Sequence, residues 1–340
     1  MLTYTIRRIL ITIPVFFGMT LMIWLLSTTN PDGGALSSYL GRFKGKEVSQ
    51  QTIDNLKRSL GLDQPLPVRY VIWLKNLFRG DLGTSQSSHQ PVSDLIKSRL
   101  FPTILLLGTA LILQEIIAIP LGVYSAIKRG TLFDKVFTVL TYVTFSFPTF
   151  WLGLLAIIFF GVELKILPFS GMVDLRADGG YAYGTPDYWV YFHANTVAAV
   201  LDIARHMILP VSILGIVGMA ADARYTRSQM LDVLNQDFVR TARAKGLSQR
   251  VVVWKHALRN AVLPLVTNIG LQLPGVIGGA IITEQIFTWP GTGQLYINAA
   301  QTFDYAVVIA YLVLLGGLVL VFNIITDLSY ALVDPRIRYN

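Results

Sequence analysis

Apolar runs, each about as long as a helix must be to cross a bilayer, recur along the sequence at 9–28, 102–127, 136–162, 207–223, 261–287 and 306–332. A hydrocarbon core takes about 20 apolar residues of helix per crossing. The chain is 53% hydrophobic and only 14% charged, with a mean hydropathy of +0.54, a composition outside that of soluble domains. The short alternating segments of an outer-membrane barrel are missing. The expected fold class is therefore an all-α integral membrane protein with six transmembrane helices. No cysteine is present, which excludes disulfides, thiol nucleophiles and zinc-thiolate sites together.

Charge sets the expected topology. Arg7 and Arg8 precede the first run, Lys128, Arg129 and Lys135 follow the second, and Arg336 and Arg338 follow the last. The segment between the fourth and fifth runs holds Arg224, Arg227, Arg240, Arg243, Lys245, Arg250, Lys255 and Arg259. Cations concentrate in cytoplasmic loops, so both termini are expected to be cytoplasmic. The net charge of +8 is then topological, facing membrane lipid, and no nucleic-acid partner is expected. The chain divides into an N-terminal span (1–29, a signal anchor), a long extracytoplasmic segment after helix 1 (30–99), a five-span core (100–332) and a cytoplasmic tail (333–340). Within the core lie an outside loop at 163–206 and a cytoplasmic loop at 224–260. The segment 30–99 carries two amphipathic pieces, one with Ile53, Leu56 and Leu60, the other with Tyr70, Trp73, Leu74 and Leu77. Two placements are open for them, along the membrane surface or as a cap packed on the spans.

The basic loop has more local structure than a topological signal needs. Asp237 is placed to cap a helix over 238–245, and Gly246 to end it at positive φ. Ser248 is placed to cap a second helix, with Val251, Trp254 and Leu258 as its apolar stripe. Two short helices joined by Gly make a docking knob whose apolar face suits a partner's groove. The alternative is a loop resting on anionic lipid.

No nucleotide loop is expected to serve that knob from within the chain. The nearest string, Gly41 to Glu47, has the wrong spacing for a phosphate cradle. The four histidines, His89, His193, His206 and His256, are scattered, so neither a metal site nor a catalytic residue is expected.

The loop resembles the coupling segment of permease subunits of binding-protein-dependent ABC importers. Where that motif has Glu-Ala-Ala, Gly and Ile-x-Leu-Pro, this sequence has Arg240-Thr241-Ala242, Gly246 and His256-Ala257-Leu258-Arg259. ARAKG (242–246) and HALRN (256–260) are similar to the dipeptide and oligopeptide branch. RRIL (7–10), GLDQP (61–65), GDLGTS (80–85), TEQIFTWPGTG (283–293) and DPRIRY (334–339) extend the resemblance along the chain. It implies a type I importer permease fold, and a half-channel paired with a second, sister permease. It also implies two cytoplasmic ATPase subunits that bind ATP and Mg, and an extracytoplasmic binding protein that delivers peptide. Asp237, Arg240, Thr241, Ala242, Arg243, Ala244, Lys245, Gly246, Trp254, His256, Leu258 and Arg259 then become the ATPase-coupling residues. Tyr181, Tyr183, Tyr188 and Trp189 of the outside loop, with Trp289 and Gly291, become the expected contact for the binding protein.

Polar residues inside the spans complete the candidates, since they face a bundle interior or a water path. Glu115 lies beside Gln114 in the second run, Asn268 and Gln272 share a face of the fifth with Glu284 further along, and Asn323 shares a face of the sixth with Asp327. They are read either as pathway residues or as interhelical hydrogen bonds of about 0.6 to 2 kcal/mol. Pro120, Pro148, Pro210, Pro264 and Pro274 are expected to kink their spans. Other readings are an ABC permease for a nickel complex or sugar, a proton-coupled carrier working through Glu115 and Glu284, and a membrane-anchored scaffold.

Overall fold

The computed structural model describes residues 2–28, 51, 55, 58, 64–175 and 180–333. Among these the protein is helical throughout, with one isolated bridge between Thr84 and Pro91. In chain order the helices are α1 (Leu2–Thr28), α2 (Leu66–Phe78), α3 (Val92–Ile127), α4 (Leu132–Ser146) and α5 (Thr149–Ala156). Then follow α6 (Pro186–Ala194), α7 (Thr196–Leu234), α8 (Asp237–Ala244), α9 (Gln249–Val251), α10 (Leu258–Gly278), α11 (Ile281–Ile286), α12 (Thr292–Gln301) and α13 (Tyr305–Val333). Two π-helical segments, Ile157–Glu163 and Val252–Ala257, extend α5 and join α9 to α10. Among the described residues five helices are long and apolar enough to cross a membrane, and the count is six when α4 and α5 with its π extension to Glu163 are taken together as one bent span.

The spans differ from the apolar runs in instructive ways. Helices α3 and α7 are much longer than 102–127 and 207–223, because polar residues beyond the run continue the helix outside the hydrocarbon. The third span is broken: α4 and α5 meet at a bend of 93°. There Phe147 is extended and Pro148 caps α5, since a residue before proline is pushed out of the helical region. The fifth span, expected to be continuous over 261–287, breaks at Gly279 with φ of 100°. A Cβ there would meet Gly293 N at 2.8 Å, so only glycine allows both the turn and the approach of α12.

Helices α3 and α7 form the central pair and run in the same direction. Leu106 clusters with Met207 at one end, while Ala126 clusters with Met230 at the other. Gly122 makes the approach close: a Cβ on it would lie 2.5 Å from Ala223 O. The end holding Tyr188 is called here the aromatic end, and the end holding α8 the basic end. Helices α10 and α13 pack antiparallel beside this pair, and α1 lies against α13, with Arg8 Nε 3.1 Å from Asp327.

The second amphipathic piece is α2, which packs on α1. The Tyr70 and Thr20 hydroxyls are 2.9 Å apart and the Tyr70 ring lies 5.6 Å from that of Trp24. The piece built on Ile53, Leu56 and Leu60, and the DPRIRY tail, lie outside the described residues. The GDLGTS turn is pinned across the fold, with Ser85 Oγ donating to Asp304 Oδ2 at 2.6 Å and Ser87 Oγ at 2.8 Å.

Candidate functional site

At the basic end, α8, Gly246 and α9 form a projection seated on a buried apolar cluster. Val239 and Ala242, one turn apart on α8, pack with Val123, Met230, Val252 and Val253. That spacing leaves Arg240, Thr241, Arg243, Ala244 and Lys245 exposed. Gly246 has φ of 77° and ends the helix, as expected. Two caps differ from expectation. Gln236 holds the N-cap position of α8 with no side-chain bond, and Asp237 is its first residue, fully in solvent beside Arg240 at 3.5 Å. There its carboxylate acts through the helix dipole. Ser248 caps α9 by position but not by its hydroxyl.

The second helix of the projection is not separate, because it continues through the π segment into α10. A π turn takes more than 3.6 residues, which rotates the face turned inward. Val252, Val253 and Ala257 are buried, whereas Val251 and Trp254 of the expected stripe are 37% and 46% exposed. Leu258 is half-buried against the cluster. His256 is half-buried and Arg259 exposed. Phe238, Leu247, Val251 and Trp254 thus present apolar surface among cations. Ala242 belongs to the seat of the projection, not to its face.

Arg224 and Arg227, taken as loop cations, lie in α7 and serve the fold. Arg227 grips buried Asp134 on α4 with two bonds of 2.7 and 2.9 Å, and Ser125 Oγ donates to the same carboxylate at 2.6 Å. The Arg224 guanidinium lies over the rings of Tyr142 and Phe145 at 4.6 and 4.8 Å.

Mid-span, a polar cluster joins α3, α7 and α10 around Asp222, which the sequence reading missed. Asp222 is buried and accepts from Asn268 Nδ2 at 2.8 Å, Gln272 Nε2 at 3.1 Å and Gln114 Nε2. Gln114 also donates to Gln272 Oε1 at 3.1 Å and to Glu115 Oε1 at 3.3 Å. Gly218 of α7 admits the Gln114 carboxamide, since a Cβ there would lie 1.8 Å from Gln114 Oε1. Three of the expected pathway residues, Glu115, Asn268 and Gln272, therefore come together. Glu284 and Asn323 do not join them. Asn323 is half-buried on α13.

Glu284 is wholly enclosed near the aromatic end. It accepts from Thr103 Oγ1 at 2.9 Å and from the Gln294 N–H at 3.0 Å in the first turn of α12. Gly291 packs against it, where a Cβ would lie 2.3 Å from Oε2. A buried carboxylate so held braces α3, α11 and α12.

The expected binding-protein contact needs correction by burial. Trp289 is 0% exposed, its Nε1 donating to Pro102 O at 2.9 Å, and Tyr188 is 2% exposed. Gly291 is buried as well. These groups lie inside because bulky rings there fill the space between α3, α6 and α7. Burial pushes the Tyr188 phenol up to about 12. Trp189 remains 41% exposed; Tyr183 is half-buried with its ring 5.8 Å from that of Trp189, and Tyr181 is half-buried against Tyr191.

Residues 118–339 match the family described as "Binding-protein-dependent transport system inner membrane component", and residues 1–108 match the N-terminal part of such membrane components. The chain belongs to this family. As a member it is a multi-pass inner-membrane protein and a transport permease subunit. It is 40% identical over 340 residues to the oligopeptide transport system permease protein AppB of Bacillus subtilis, covering 100% of both chains. It is 37% identical over 346 residues to the dipeptide transport system permease protein DppB of Escherichia coli K12, covering 100% of this chain and 99% of that one. The di/tripeptide transport system permease protein DppB of Pseudomonas aeruginosa is 39% identical over 345 residues, again 100% and 99%. Among solved structures, the MetNI methionine ABC transporter in inward-facing conformations matches with a TM-score of 0.53 and 17% identity, covering 71% of this chain and 96% of that one. That likeness is one of fold. In this family member the projection and the Asp222 cluster are the two built features at the basic end and mid-span.

Proposed function

We propose that this permease is one membrane-spanning subunit of a bacterial ABC importer that takes up di- or oligopeptides handed over by an extracytoplasmic binding protein. Its full-length similarity to peptide permeases carries the reading. In this reading the basic end is cytoplasmic, and the projection is the place where partner ATPases, which bind ATP and Mg, transmit their closure. The exposed side chains of Arg240, Arg243, Lys245, Arg250 and Lys255 steer an acidic cleft, while Phe238, Leu247 and Trp254 fill it. The buried cluster beneath makes the projection a rigid extension of α3, α7 and α10, so a pull on it reaches the spans.

A second, sister permease completes the pathway, and Glu115, Asn268, Gln272 and Asn323 are its candidate lining residues on this side. Trp189, with Tyr181 and Tyr183, is the candidate contact for the binding protein. The proton-coupled alternative loses one of its two carboxylates, because Glu284 is enclosed and hydrogen-bonded. The test is uptake of labelled peptide into proteoliposomes holding the whole transporter with its binding protein. Uptake that needs ATP and survives an uncoupler is expected. Uptake of a sugar or nickel complex in place of peptide, or uptake without ATPase subunits, overturns the proposal.

A further inference from the structure

At the aromatic end, a cavity of about 630 Å³ opens along the flank of the central helix pair. Its walls are α3 from Phe101 to Leu113 and α7 from Val200 to Ser212, and Tyr183, Tyr188, Trp189 and Phe192 close its top. None of its lining residues is charged, and Thr109, Ser212, the two tyrosines and the Trp189 indole carry its only side-chain polar atoms. Phe101, Leu113, Val200 and Ile208 are exposed along its mouth, so it opens sideways and not only at its end.

Three observations identify what fits. The first is length. At about 1.5 Å of rise per residue each wall runs about 18 Å, close to one leaflet of a hydrocarbon core about 30 Å thick. The second is the aromatic rim, since Trp and Tyr settle at headgroup level and Trp189 with the two tyrosines marks that level at one end of the cavity. The third is Tyr188. It lines the cavity at 2% exposure, yet its hydroxyl makes no hydrogen bond to any described residue. A buried hydroxyl without a partner is left with its desolvation cost uncompensated, and an ester carbonyl descending from the rim supplies the acceptor. A peptide fits poorly, because its charged ends would find no countercharge among the lining side chains.

We infer that this cavity is a phospholipid site, holding one acyl chain between α3 and α7 with its glycerol ester carbonyl bonded by the Tyr188 hydroxyl. The site is independent of the transported solute. The membrane supplies its ligand laterally, through the mouth between Phe101 and Ile208.

The test is native mass spectrometry of the full-length chain in detergent with phosphatidylethanolamine added. One retained phospholipid per chain is expected. Ala204→Trp and Thr109→Phe, which fill the cavity from exposed positions on opposite walls, are expected to weaken retention more than tenfold. Tyr188→Phe is expected to weaken it about fivefold, the loss of one neutral hydrogen bond, without lowering the melting temperature of the lipid-free chain. Should one filling variant fail to fold, the other two carry the test. Equal retention by parent and variants, or no retained phospholipid in the parent, overturns the inference. So does a benzophenone side chain at position 204 that, in native membranes, captures a second polypeptide instead of a phospholipid. A phospholipid adduct supports it.

Discussion

Asn268 donates to Asp222 Oδ1 across 2.8 Å, and through that bond α10 is tied to α7. Gln114 and Gln272 donate to the other oxygen of the same carboxylate, so three carboxamides converge on one acid. Asp222→Ala leaves those carboxamides without their common acceptor. The expected loss is about 1–3 kcal/mol, read from thermal unfolding of the purified chain. Asn268→Ala is expected to cost less, and a double-mutant cycle between the two to give a coupling near 0.6 and below about 1.7 kcal/mol. No coupling at all would mean that the bond does not join the helices.

The projection separates seat from face, so two neighbouring substitutions should fail differently. Ala242→Asp drives a carboxylate into the cluster of Val123, Met230 and Val252. It is expected to lower melting temperature and membrane yield, because an unpaired buried charge is costly. Arg243→Glu changes an exposed position and is expected to leave stability within about 0.5 kcal/mol. In the reconstituted transporter, however, it should sharply reduce ATPase stimulation by the loaded binding protein. Equal stability of the two variants would contradict the buried seat.

How far the sequence discloses this arrangement depends on the kind of signal. The spans are legible because bilayer thickness imposes a length on apolar runs, and Gly246 because positive φ has a residue preference. Asp222 escaped because it lies next to the last apolar residue of its run, where an acid looks like the start of a loop. Only the partners on α3 and α10 reveal it as interior. Arg227 escaped for the same reason: α7 continues to Leu234, past the hydrocarbon. The face of the second projection helix was misread because helical periodicity assumes 3.6 residues per turn, and the π segment at Val252–Ala257 breaks that count. The break at Pro148 is marked by its residue type, whereas Gly279 sits in a run that reads as continuous, and the 93° angle at the first break follows from packing that no local pattern carries.

Asp304 gives the fold a dependence on acidity. Burial pushes its carboxyl up, but the Ser85 and Ser87 hydroxyls and the backbone N–H groups of Ser87 and Gln86 outweigh burial and hold it below the usual carboxylate range. A depressed folded value means that the unfolded chain binds the proton more readily. The stabilisation is then fully present above the unfolded value of about 3.9 and is lost as pH falls from there through the folded value. Melting temperature should therefore fall more steeply below about pH 4 in the parent than in Asp304→Asn. Parallel curves would remove Asp304 from the account.

The Asp134–Arg227 pair should be the more severe of the two acid contacts to break. Asp134 is 5% exposed and takes both guanidinium bonds together with Ser125 Oγ and the Gly130 N–H at 2.9 Å. Its four donors fix the turn between α3 and α4 against α7, directly above the seat of the projection. Arg227→Ala strands a buried carboxylate, with an expected cost of about 3–5 kcal/mol. Arg227→Lys keeps the charge but not the planar fork, and should recover only part of the loss. Asp134→Asn with Arg227→Gln removes both charges and should be milder than Arg227→Ala alone, since no uncompensated ion remains. Thermal unfolding of the three variants orders them, and a double variant as unstable as Arg227→Ala would show that geometry rather than stranded charge sets the cost.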